Sequence, residues 1–140
     1  MRYLTFRKLP QIIAPNYSSS DDAVLLQGKF ENANAKFCDQ YFEYNIFSLM
    51  SEEAILYWLP SLFNYLTHEA PVDSYFFDVV LINFAKMDLS QRLQHIATVN
   101  EYVQISSFIR RIPAILKMSH AESIRDIHLQ TAISNWPEIA

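Results

Sequence analysis

At 140 residues, with 51% apolar and 19% charged side chains, the chain can bury a core without disulfide or metal staples and is too apolar to stay disordered. Its single glycine, Gly28, argues against a doubly wound nucleotide-binding fold and against a turn-rich all-β domain, both of which need several. The formal charge of −4 is unevenly spread: residues 21–90 carry eleven carboxylates against Lys29, Lys36 and Lys86, while both flanks are mildly basic. An acidic middle repels phosphate backbones, which argues against nucleic acid and favours a basic partner. The plainer account of the same charges is solvated helix faces that keep the chain in solution.

In chain order, residues 2–9 read as a short strand or an extended arm, so that 1–20 stands apart from the helices that follow. Its basic residues precede no apolar run of signal-peptide length, and no stretch reaches the roughly 18 apolar residues of a membrane span, so a cytoplasmic protein is expected. Asn16–Asp22 is a polar loop, and residues 23–30 form a short helix weakened by Gly28. From Ala33 to Met50, Phe37, Tyr41, Tyr44 and Phe47 recur at helical spacing. Ser51 is a helix cap followed by Glu52 and Glu53, where the helix dipole favours negative charge. The run after it, through His68, is apolar over most of its circumference, as expected of a central helix, and Pro60 predicts a kink or a break into two.

Residues 75–86 (YFFDVVLINFAK), with Asp73 or Ser74 as cap, could be a buried strand, but twelve residues is long for one, and helix is the reading. Asp88 and Ser90 are candidate caps for a helix over Gln91–Ser106, with Leu93, Ile96, Ala97, Val99 and Val103 as its apolar stripe. Phe108–Met118 is a further helical piece broken at Pro113. Ser119 and Glu122 match a capping box that opens a last helix, His120–Asn135, carrying Ile124, Ile127, Leu129 and Ile133 and stopped by Trp136-Pro137. The expected fold is therefore all-α: a single domain, residues 1–140, of five to seven helices around a kinked central one.

Chemistry is hard to find. His68, His95, His120 and His128 have no H-E-x-x-H or other metal-ligand spacing, and no nucleophile elbow or phosphate loop occurs. Cys38 is the only cysteine and reads as a buried thiol. No catalytic residue, cofactor or metal is predicted. The candidate partner contacts are Glu52, Glu53, Glu69, Asp73 and Asp78, with Tyr57 and Trp58 as aromatic anchors if they are exposed. Glu52 and Glu53 are also accounted for by the dipole alone.

Leu49, Ser51, Glu53, Ala54, Tyr57, Trp58, Leu59, Pro60, Ser61 and Leu62 resemble the pattern L-T/S-x-E-A-x-x-Y-Y/W-L-P-A/S-x-L of a family of small uncharacterised bacterial domains. Leu89-Ser90-Gln91-Arg92 and Val103–Phe108 resemble its second segment, so the likeness covers about residues 37–109. It implies an all-α fold and supplies no activity to carry over. By size, acidity and lack of a catalytic motif the chain also looks like the immunity proteins of contact-dependent inhibition and polymorphic-toxin systems. That likeness implies an antitoxin that binds and blocks a cognate toxin domain, a basic nuclease being the expected kind. The alternative is a non-catalytic scaffold that self-associates through its aromatic surface.

Overall fold

The computed structural model describes Lys36 and residues 46–71, 74–116 and 124–139. Their regular elements are all helical, as the composition and spacing predict. The expected arm or strand at 2–9, the helix at 23–30, Cys38, Asp73, His120 and the Ser119–Glu122 capping box lie outside the described residues. The chain divides into two compact units, Met1–Ala70 and Pro71–Ala140.

In the first unit the described part of the expected 33–50 helix ends as a 3-10 turn, Ile46–Leu49, closed by the Met50 amide donating to the Phe47 carbonyl at 3.2 Å. Helix α1 follows, Glu52–His68. Ser51 caps it as predicted, its Oγ accepting from the Ala54 amide at 3.2 Å and satisfying one of the first-turn donors. Ser51→Ala should lower stability by about 1 kcal/mol, read as a lower urea midpoint at unchanged slope. The helix passes through Pro60 without breaking, so the two-helix alternative does not occur. Pro60 supplies no amide, which leaves the Leu56 carbonyl without its intrahelical donor.

In the second unit the run that reads ambiguously as strand or helix is helix α2, Tyr75–Phe84. The Ser74 hydroxyl accepts from the Phe76 amide at 3.4 Å at its start. It is mostly buried, and its one interior amide side chain, Asn83, donates back to the Val79 carbonyl at 2.7 Å. Next come α3, Met87–Ile96, α4, Val99–Leu116, and α5, Ile124–Asn135. α2 packs against α3 and α5, and α5 packs against α4.

Three expectations are not met. The single helix over Gln91–Ser106 is instead the end of α3 and the start of α4, separated at Ala97 and Thr98. Thr98 and Glu101 form a reciprocal capping box: the Thr98 amide donates to Glu101 Oε1 at 2.8 Å, and the Glu101 amide donates to Thr98 Oγ1 at 3.2 Å. The interruption resets the helical phase, so Val99 and Val103 face solvent at 69% and 45% exposure while Ile105, Phe108, Ile109 and Ile112 face inward. Secondly, Pro113 does not end a helix; α4 continues through it to Leu116. Thirdly, neither Asp88 nor Ser90 is a cap: α3 begins at Met87 with Lys86 at its N-cap, Asp88 lies in its first turn, and Ser90 is a fully buried hydroxyl inside it.

Candidate functional site

Ten of the seventeen residues of α1 are buried. Glu53, Ser61 and His68 are exposed and Tyr57 and Asn64 half-buried, and these five recur three or four positions apart. That spacing places them on one narrow stripe along the outside of the helix, about 22 Å from end to end. Glu52 is half-buried beside the stripe, and the exposed Glu69 follows its last residue. The condition set for Trp58 as an anchor is not met: it is 3% exposed and stands edge-on to Phe47, ring centroids 5.7 Å apart. Tyr57 and Trp58 are adjacent, and the helical phase turns one outward and the other inward.

Of the acidic candidates, Glu52 and Glu53 sit together in the first turn of α1, and Glu69 caps its opposite end, its amide donating to the Tyr65 carbonyl at 2.8 Å. Asp78 lies half-buried in the first turn of α2. The two ends of α1 differ electrostatically. Glu52 and Glu53 complement the positive end of the dipole, whereas Glu69 adds a carboxylate to the negative end, where the last turn has only His68 as a potential cation.

A second concentration of polar groups, which sequence reasoning missed, joins the end of α5 to α2, α3 and α4. Trp136 is fully buried, edge-on to Phe84 at 5.4 Å. Its indole N–H donates to Ser90 Oγ at 3.0 Å, and that hydroxyl donates in turn to the Phe84 carbonyl at 3.0 Å. The Trp136 carbonyl accepts from Ser106 Oγ at 3.0 Å and from Arg110 Nη1 at 2.8 Å. Asn135 Nδ2 donates to the Phe84 and Ala85 carbonyls, both at 3.1 Å, and Gln94 Nε2 donates to the Asn135 carbonyl at 2.7 Å. Satisfied networks of this kind fix one core packing among alternatives. The visible signals are Trp136-Pro137 at a helix end and the polar Ser106 close to Ile105, Phe108 and Ile109; Ser90, flanked by Asp88, Leu89, Gln91 and Arg92, gives none.

The segment leaving α5 is held by α4 as well. Tyr102 Oη donates to the Pro137 carbonyl at 2.6 Å, and Arg110 Nε lies 3.3 Å from Glu138 Oε1. Burial pushes the Tyr102 phenol above its usual range, against an opposing pull from Arg110. A raised phenol pKa means the fold favours the neutral form. The contribution is complete below the unfolded value of about 10 and is lost as pH rises through the folded one. Stability measured across the alkaline range should therefore fall in the native chain by a step that Tyr102→Phe lacks.

Among the described residues no group of three or more His, Cys, Asp or Glu could hold a metal ion, and no helix is long and apolar enough to cross a membrane. His68 and His95 are exposed and His128 is half-buried. Comparison with protein families, with curated proteins and with solved structures gives no match.

Proposed function

We propose that the chain is a non-catalytic binding protein, an immunity protein that holds a basic toxin domain in the cytoplasm and covers the surface that domain uses on its substrate. The observation that carries this reading is one of charge. Between residues 37 and 85 there are seven carboxylates (Asp39, Glu43, Glu52, Glu53, Glu69, Asp73 and Asp78) and no lysine or arginine. A nuclease holds phosphates with lysines and arginines, and an acidic protein competes for those same side chains. Opposite charge also steers the encounter and speeds association at low ionic strength.

The likeness to immunity proteins supports the same reading. Co-expression with a toxin domain encoded in an adjoining reading frame tests it: growth should be restored and the two proteins should co-purify. Growth arrest unrelieved by the chain, or no complex, would overturn it.

The exposed Val99 and Val103 on α4 favour a second reading, self-association. Light scattering showing a stable homodimer that Val103→Glu dissociates would select it.

A further inference from the structure

We infer that the basic partner lies along the outer stripe of α1, with a lysine or arginine of the partner seated against Glu69 at the helix's C-terminal end. This rests on the proposed binding role and names the surface that performs it.

Three observations carry it. The stripe of Glu53, Tyr57, Ser61, Asn64 and His68 is polar or amphipathic throughout, which suits a partner met in water rather than a permanently buried core. Tyr57, half-exposed near its N-terminal end, has the apolar body and polar tip of an interface anchor.

Glu69 is the third. Nothing in the helix calls for a carboxylate there: the terminal carbonyls already make that end negative, and Glu69 makes it more so. A locally unfavourable residue is expected where its use lies outside the element. A cation brought by a partner would meet the dipole and the carboxylate together, as a charge-assisted hydrogen bond. No lysine or arginine between residues 37 and 85 supplies that cation from nearby sequence. Complementarity of charge therefore commits the occupant to a basic protein surface.

The test places a photo-crosslinking residue at Ser61 or Asn64 of the full chain, and at the exposed Gln91 and Gln130 of α3 and α5 as comparison positions, in cells of the native source. Adducts are identified by mass spectrometry. Expected are adducts from Ser61 and Asn64 to one basic polypeptide, none from Gln91 or Gln130, and at least tenfold less adduct in a Glu69→Lys background. Glu69→Lys should raise the melting temperature, since a lysine complements the C-terminal dipole, so loss of adduct cannot be ascribed to unfolding.

Adducts to a basic polypeptide from Gln91 or Gln130 alone would overturn the surface and leave the binding role standing. Adducts that persist in Glu69→Lys would overturn the seat at Glu69. An acidic or neutral partner, a second copy of this chain, or no adduct from any position would overturn the binding role and the surface together.

Discussion

Trp136→Ala should destabilise the second unit by about 3–5 kcal/mol, a large share of the roughly 5–15 kcal/mol that holds a typical domain folded. The residue is fully buried, and its removal deletes the ring packed on Phe84 and the donor to Ser90 Oγ. Trp136→Phe keeps a ring and loses the N–H, and should cost less than the alanine. Urea unfolding followed by far-UV circular dichroism separates the two, with Trp58 remaining as a fluorescent reporter in the first unit. Equal midpoints for Trp136→Ala and the native chain would mean that the indole does not organise this core.

Asn135→Ala should cost about 1–3 kcal/mol and loosen the end of α2 selectively. The α2 C-terminus has carbonyls with no intrahelical donor, and Asn135 reaches across from α5 to meet two of them, on Phe84 and Ala85. The Phe84 carbonyl keeps Ser90 as a donor, so the loss is partial there. Asn135→Asp should be worse than alanine, because it turns a carboxylate toward carbonyl oxygens. Amide hydrogen exchange reads the effect as faster exchange in the last turn of α2, with α1 unchanged. The costs of the Asn135 and Trp136 changes should not add, since the two residues share partners in one network.

What was legible in the sequence was local. The Ser51 cap, the stop at Trp136-Pro137 and the helical state of 75–84 each follow from a few neighbouring residues, and each is observed. The break at Ala97–Thr98 was equally local: Thr98-Val99-Asn100-Glu101 is the same capping pattern as Ser119–Glu122. It is masked because Leu93, Ile96, Val99 and Val103 keep helical spacing in number across an interruption that resets the phase. Pro113 misleads in the other direction, since a helix with tertiary support continues through a proline that would break an isolated one. The pairings of the Trp136 network could not be read. Its partners stand 46 residues apart at Ser90 and 51 apart between Asn135 and Phe84, and only the fold brings them together.

The candidate site divides the same way. Glu53 and Tyr57 were legible as an acidic first turn and an amphipathic aromatic, and they share the outer stripe of α1. That Trp58 turns inward depends on the helical phase set by the packing of the nine other buried residues of α1. The end at His68 was legible too, and the structure adds that Glu69 is the exposed C-cap of α1, so that its charge sits at the negative pole of the dipole.

The acidic-binder proposal stands most directly on the salt dependence of binding between the purified full chain and the basic toxin domain proposed as its partner. Exposed charge pairs are screened beyond a Debye length of about 10 Å at 0.1 M salt and about 3 Å at 1 M. The account predicts tight binding at low salt that weakens by about tenfold or more as screening takes hold, chiefly through slower association. An affinity that does not change with salt, or no binding at either extreme, would contradict it.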